Sequence, residues 1–162
     1  MINNREECEK FVGACRYAPE GYRSFGPARG LLYGGADYAA EANKTVITLA
    51  MIETAESMEN LDAIMSVEGL DAIYVGPNDL AISLGNPPSP EPVADNVIEA
   101  IDEILAAAAR NNVKAGIHCP HGASALDKFN KGFRFATIAN DARLLAMAAK
   151  TETAIARGKN SA

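Results

Sequence analysis

Residues 45–80 read TVITLAMIETAESMENLDAIMSVEGLDAIYVGPNDL, and the order of apolar and polar residues in this stretch decides the fold class. Residues 45–52 form a continuous apolar run that begins with β-branched residues, which is typical of a strand buried on both faces. Residues 55–66 carry apolar side chains at helical spacing, and residues 70–75 form a second apolar run. The stretch therefore predicts a strand, a helix and a second strand parallel to the first.

The same alternation continues to the end of the chain. After a Gly/Pro-rich loop over 76–91 with room for one helical turn, the pattern predicts helices at 92–111, 122–131 and 141–157 and strands at 114–119 and 133–138. Asn140 is the predicted cap of the last helix.

Before residue 45 the pattern is helical and then irregular. A first helix begins after Asn3 and Asn4, which are suitable caps, and places Cys8, Phe11, Val12 and Cys15 on one face. A long loop is expected over 17–33, and a short helix over 37–42.

The chain is thus an α/β protein of four strand–helix units preceded by a helix. A doubly wound open sheet and a (β/α)8 barrel both fit this order. A whole barrel needs about 250 residues and eight units, whereas the chain has 162 residues. If the fold is a barrel, the sequence contains half of it.

Composition limits the function. The 48% hydrophobic and 22% charged residues indicate a folded globular chain, and the net charge of −6 argues against nucleic acid as a partner. No apolar run reaches about 18 residues, so no membrane span is expected. The polar amino terminus does not resemble a signal peptide. Three cysteines without a CxxC motif are typical of a reduced, cytoplasmic protein.

Glu53 and Asp79 are the most informative polar residues. Each follows an apolar strand, and ligands of parallel α/β folds bind beyond the carboxyl ends of the strands. Because neighbouring strands lie about 4.8 Å apart, both carboxylates can reach one hard cation such as Mg²⁺ or Mn²⁺. The alternative is that both residues cap the helices that follow them.

Two further motifs are less specific. The turn from Gly76 to Asp79 can bind a carboxylate through its backbone N–H groups, although such turns are also ordinary strand–helix connections. His118, Cys119 and His121 suggest zinc, but their spacing matches no standard zinc pattern. Pocket lining or packing is the favoured interpretation of these three residues.

Residues 51–85, MIETAESMENLDAIMSVEGLDAIYVGPNDLAISLG, resemble the central signature of the HpcH/HpaI aldolase family. RSFGPARG upstream and GFRFATIANDARLLAMAA downstream also resemble that family, so the resemblance covers most of the chain. It implies a (β/α)8 barrel, often assembled into hexamers, and a metal-dependent carbon–carbon lyase. Such enzymes cleave or form 4-hydroxy-2-oxo acids, such as 4-hydroxy-2-oxoheptanedioate, through a pyruvate enolate.

The resemblance assigns roles to matching positions only. Glu53 and Asp79 fall on the metal ligands of the family, for Mg²⁺ or Mn²⁺ with Co²⁺ as a further candidate. Asn78 and Asp79 fall where backbone N–H groups hold the carboxylate of pyruvate or an oxaloacetate-like 2-oxo acid. Met51 stands where some members carry a glutamine, and methionine cannot donate that hydrogen bond.

The catalytic histidine and the substrate-binding arginine of the family lie on earlier strands. The chain resembles a partial aldolase domain over 1–162 without the first four strands, so no catalytic residue is assigned within it. We expect low turnover from the chain alone and a homo-oligomer in solution. The alternatives are a non-catalytic half-barrel or assembly module and a citrate-lyase-like acyl-CoA lyase.

Overall fold

The computed structural model describes residues 1–159 and contains one four-stranded sheet. The strands are β1 (Leu49–Ile52), β2 (Ala72–Val75), β3 (Lys114–Cys119) and β4 (Phe135–Ile138). They lie side by side in sequence order, and every neighbouring pair is parallel. The prediction of four parallel strand–helix units is confirmed, and the unreversed strand order does not fit a doubly wound sheet.

Nine helices surround this sheet within residues 1–159. They are α1 (Arg5–Cys15), α2 (Ala28–Gly34), α3 (Tyr38–Thr45), α4 (Ala55–Glu59), α5 (Leu61–Met65), α6 (Pro77–Ser83), α7 (Asp95–Arg110), α8 (Gly122–Lys131) and α9 (Asp141–Ala156). The predicted caps are present: Asn4 accepts a hydrogen bond from the N–H of Glu7, and Asn140 accepts one from the N–H of Arg143.

The structure differs from the sequence prediction in three segments. The expected loop over 17–33 includes most of α2, and the loop over 76–91 contains the seven residues of α6. The single helix expected over 55–66 is divided at Asn60, whose side chain donates to the backbone oxygens of Glu56 and Asn3. A side chain that bonds to nearby backbone competes with the regular helix, which explains the break.

The first two strands are shorter than predicted because their leading residues have other partners. α3 extends to Thr45, and Thr48 lies in a polar network rather than in the strand. That network, which we call the amino-end network, also contains Arg16 and Asp71. Thr48 donates through N and Oγ1 to Asp71 Oδ2, at 2.7 and 2.9 Å. Arg16 donates to Val46 O at 2.8 Å and to Asp71 Oδ2 at 3.2 Å.

The sheet has two unlike faces. Ile52, Ile73, Val75 and Ile117 are fully buried in the core beneath the helices. The alternate residues share the opposite face, which we call the inner face because it would line the interior of a barrel. On this face Phe135 is 48% exposed. One side of the sheet is therefore packed by helices, while the other is open for ligands or further chain.

No helix within residues 1–159 is long and apolar enough to cross a membrane. Cys8, Cys15 and Cys119 are free thiols, and Cys8 and Cys119 are buried.

Candidate functional site

Glu53 lies at the carboxyl end of β1, directly after its last residue, and is only 6% exposed. Its carboxylate packs over the backbone of Gly76 at the end of the neighbouring strand β2. A Cβ added to Gly76 would overlap Glu53 Oε2. The glycine therefore creates the space that the carboxylate occupies, and its φ of −100° would also be accessible to alanine.

Asp79 lies in the first turn of α6, which begins at Pro77. The pKa of Glu53 is raised above its ordinary value, first by burial and second by the negative charge of Asp79. The amino group of Met1, 4.0 Å from Glu53 Oε1, partly opposes this shift. The structure thus brings the two predicted carboxylates into one electrostatic environment.

The donor set of this environment fits a hard cation. No side chain within residues 1–159 donates a hydrogen bond to Glu53, so a cation would relieve a buried charge that faces a second charge. The same residues contain no group of three or more His, Cys, Asp or Glu that could hold a metal ion. Glu53 and Asp79 would thus supply two ligands and leave other positions for water and substrate, as Mg²⁺ usually requires.

The turn before Asp79 offers backbone donors beside these carboxylates. Pro77 has no N–H, and the first backbone bond of α6 runs from Leu80 N to Gly76 O at 3.0 Å. The N–H groups of Asn78 and Asp79 lie at the start of the helix, where no carbonyl of the preceding turn accepts them. Asn78 is half-buried and Asp79 is exposed, so a small carboxylate can approach this turn.

His118, Cys119 and His121 do not converge on one point. His118 lies on the inner face, with Nδ1 2.8 Å from Thr137 Oγ1. Cys119 lies in the core, where burial raises the pKa of its thiol and the Ser124 hydroxyl partly opposes the shift. His121 caps α8 through Nδ1, which accepts a hydrogen bond from the N–H of Ser124 at 3.2 Å. This arrangement favours the prediction of lining and packing roles over zinc.

Sequence reasoning missed one group on the inner face. The phenol of Tyr74 is hydrogen-bonded to Thr137 Oγ1, which also contacts His118. Strand alternation alone places Tyr74, His118 and Thr137 on one face, since alternate residues of each strand share a face. The contact between Tyr74 and Thr137, on strands that are not adjacent, requires the register as well.

A sequence profile of the HpcH/HpaI aldolase/citrate lyase family matches residues 1–148. The chain belongs to this family. It is 41% identical over 157 residues to the hydroxypyruvate/pyruvate aldolase of Rhizorhabdus wittichii. This alignment covers 97% of the chain and 62% of that protein. It is 36% identical over 146 residues to the 5-keto-4-deoxy-D-glucarate aldolase of Escherichia coli, covering 87% of the chain and 55% of that protein.

Solved structures of the family share the fold. An HpcH/HpaI aldolase/citrate lyase family protein from Burkholderia cenocepacia superposes with a TM-score of 0.84 at 27% identity, over 97% of the chain and 63% of that structure. Macrophomate synthase superposes with a TM-score of 0.80 at 26% identity, over 97% of the chain and 56% of that structure. The chain therefore spans less than two thirds of the length of these relatives, as expected for half of a barrel.

Proposed function

We propose that the chain is the metal-binding part of a carbon–carbon lyase, a class II aldolase that cleaves or forms 4-hydroxy-2-oxo acids. One observation carries the proposal: the buried Glu53 carboxylate lies over Gly76 and within the field of Asp79, at the carboxyl ends of neighbouring parallel strands. This end of the strands holds the active site in enzymes with parallel barrels.

Glu53 and Asp79 would hold a divalent cation, Mg²⁺ or Mn²⁺, with Co²⁺ as a further candidate. Such a cation supplies Lewis acidity towards the keto oxygen of a 2-oxo acid. The N–H groups of Asn78 and Asp79 would hold the substrate carboxylate, as charge-assisted donors at a helix start. Met51 lies on the inner face beside this site and offers no hydrogen-bond donor, so it would contribute packing rather than polar recognition.

The substrate class follows from the relatives. The hydroxypyruvate/pyruvate and 5-keto-4-deoxy-D-glucarate aldolases are named for 2-oxo acids and their aldol products. A small 2-oxo acid, such as pyruvate or an oxaloacetate-like acid, and an aldehyde are therefore the proposed substrates. The general base and the substrate-binding arginine would lie on strands outside the chain, which we propose to be a partial aldolase domain.

The proposed function also includes self-association. α9 contains no buried residue, and its Leu145 is 73% exposed. On β4, which precedes α9 in the chain, Phe135 and Ile138 lie on opposite faces of the sheet and are 48% and 45% exposed. Apolar surface of this kind is typical of interfaces, so we expect a homo-oligomer when the mass is measured in solution.

Oxaloacetate decarboxylation tests the metal site independently of a general base, because loss of CO₂ requires no proton abstraction by the protein. We expect the chain with Mn²⁺ to exceed the rate of Mn²⁺ alone. The variants Glu53→Gln and Asp79→Asn should each weaken Mn²⁺ binding, measured by calorimetry, by about 100-fold or more, because each removes a charged ligand.

Glu59→Gln is the matched control, since it changes an exposed glutamate at the end of α4. Unchanged Mn²⁺ affinity in Glu53→Gln and Asp79→Asn would contradict the proposed metal site. If the wild-type chain binds Mn²⁺ but gives no decarboxylation above the rate of Mn²⁺ alone, the result would instead favour the alternative function, a non-catalytic half-barrel.

A further inference from the structure

The inner face carries a hydrogen-bonded row of three side chains from three strands. Tyr74 on β2 bonds to Thr137 on β4, and Thr137 Oγ1 lies 2.8 Å from His118 Nδ1 on β3. His118 and Thr137 are direct partners in the register of β3 and β4. We call these three residues the inner-face relay.

Gly116 allows the relay to form. Tyr74 and Gly116 are register partners, and so are Gly116 and Phe135. A Cβ added to Gly116 would lie 3.1 Å from both the Tyr74 and Phe135 rings, whose centroids are 6.0 Å apart. The phenol can therefore cross β3 and reach Thr137 on the strand beyond.

The relay lies beside the carboxylate pair. Val75 pairs with Ile117, so Gly76 and His118 are the next residues along β2 and β3. Because parallel strands are about 4.8 Å apart, His118 stands one strand from Gly76, on the side opposite Glu53. The Glu53 carboxylate covers Gly76 from the β1 side, and His118 follows on the β3 side of the same glycine.

The bonding pattern favours one tautomer of His118. Within residues 1–159 the phenol of Tyr74 has no hydrogen-bond partner other than Thr137, and burial is the main cause that raises the pKa of this phenol. Because a phenol O–H is more acidic than an aliphatic hydroxyl, the favoured direction has Tyr74 donating to Thr137 Oγ1 and the single Thr137 hydrogen directed at His118 Nδ1. In that arrangement Nδ1 is the acceptor and Nε2 carries the ring hydrogen.

We propose that His118 Nε2–H is a specificity donor for an oxygen that the substrate carries beyond its 2-oxo acid unit, and that Tyr74 and Thr137 are positioning residues that fix this donor. The proposal rests on the proposed function, because the 2-oxo acid unit is held by the carboxylate pair and the α6 turn. The group that His118 would recognise is a hydroxyl or carbonyl oxygen, carried either on C3 of the 2-oxo acid or on the aldehyde.

The first arm of the test measures binding of pyruvate and hydroxypyruvate to the chain with Mg²⁺. These two acids differ only by the C3 hydroxyl. We expect His118→Leu to weaken hydroxypyruvate binding about tenfold and to leave pyruvate binding within about twofold, since one neutral hydrogen bond is lost. Thr137→Val should give a smaller loss in the same direction.

His121→Asn is the control, because asparagine retains the acceptor that caps α8 and His121 lies outside the relay. It should change neither affinity. A second pair of probes, propanal and glycolaldehyde with pyruvate and Mg²⁺ present, locates the recognised oxygen. If His118→Leu weakens the binding of glycolaldehyde but not that of hydroxypyruvate, the recognised oxygen lies on the aldehyde.

The second arm reads the tautomer directly, by ¹⁵N NMR of the imidazoles at about pH 8. Nδ1 of His118 should appear as the unprotonated acceptor, and Thr137→Val and Tyr74→Phe should shift its resonance while His121 stays unchanged. A merely structural role of the two residues would not move this signal. The test needs only a folded chain, so it is independent of catalysis.

The outcomes separate the two proposals. If wild-type chain binds pyruvate with Mg²⁺ but His118→Leu changes no preference among the four probes, the specificity donor is refuted and the metal site stands. If the NMR signal shows a protonated Nδ1, the relay is refuted. If no 2-oxo acid binds in the presence of Mg²⁺, the proposed function fails first, and the donor role fails with it.

Discussion

The two ends of the sheet differ in how their charged side chains are paired. At the amino end, Arg16 and Asp71 carry opposite charges and are hydrogen-bonded to each other, and Thr48 also donates to Asp71. At the carboxyl end, Glu53 is buried beside the like charge of Asp79. The pKa values follow this contrast. Burial of Asp71 would raise its pKa, but hydrogen bonds from Thr48 and Arg16 lower it below the usual value, whereas that of Glu53 is raised.

We therefore expect the amino end of the sheet to contribute mainly to stability and the carboxyl end mainly to ligand binding. The hydrogen bonds at the amino end join opposite charges and stabilise the folded chain. At the carboxyl end, Glu53 is buried beside a like charge, which opposes folding, and the cation that we propose for this site would offset that cost. Substitutions at the two ends should therefore have opposite effects on stability and ligand binding.

The largest expected effect on stability comes from Arg16→Met. The Arg16 side chain is 9% exposed, and its loss would remove donors from Val46 O and Asp71 Oδ2. We expect the free energy of unfolding in urea to fall by about 2 kcal/mol, at the lower end for a buried pair because Asp71 remains half-exposed and is screened by water. Calorimetric Mn²⁺ affinity should be unchanged.

Arg110→Met is the matched control, because Arg110 also bonds to carboxylates, of Asp62 and Glu103, but is 43% exposed. It should cost clearly less stability than Arg16→Met, because water screens an exposed ion pair. Equal losses in both variants would mean that the amino-end network contributes no more than a surface ion pair.

A smaller effect, on binding rather than stability, is expected from Gly76→Ala. The added methyl would overlap the flexible end of Glu53 and move its carboxylate, while the backbone conformation suits alanine. We expect Mn²⁺ affinity to fall about tenfold, with less than about 1 kcal/mol change in unfolding free energy. Gly122→Ala, where nothing lies within 4 Å of the added atom, is the control. Unchanged affinity in Gly76→Ala would indicate that the position of Glu53 is not critical.

The carboxyl end was more predictable from sequence than the amino end. Strand periodicity predicts that Glu53 follows the first strand directly and that Asp79 lies in the turn after the second, and the structure has both residues at these positions. Arg16 and Asp71 are 55 residues apart, and their contact depends on how the segment after α1 returns to the sheet. α2 was missed for a related reason: none of its residues is buried, so it has no apolar stripe to give a helical period.

The smallest expected effects concern pH, and they have opposite signs at the two ends. Asp71 has a lowered pKa, so its contribution is present above the ordinary aspartate value, about 3.9, and is lost as the pH falls through its folded-state value. Glu53 has a raised pKa, so the folded chain binds more protons than the unfolded chain, and stability is lost as the pH rises from about 4.3 through the folded-state value.

The measurement is urea unfolding of wild type, Asp71→Asn and Glu53→Gln across pH 2–8 with a chelator present. The difference between wild type and each variant isolates the contribution of that residue. Wild type should weaken relative to Asp71→Asn only towards acid and relative to Glu53→Gln only towards neutral pH. If the difference between wild type and Glu53→Gln does not vary with pH, Glu53 is not held as a destabilised charge, and the contrast between the two ends fails at the carboxyl end.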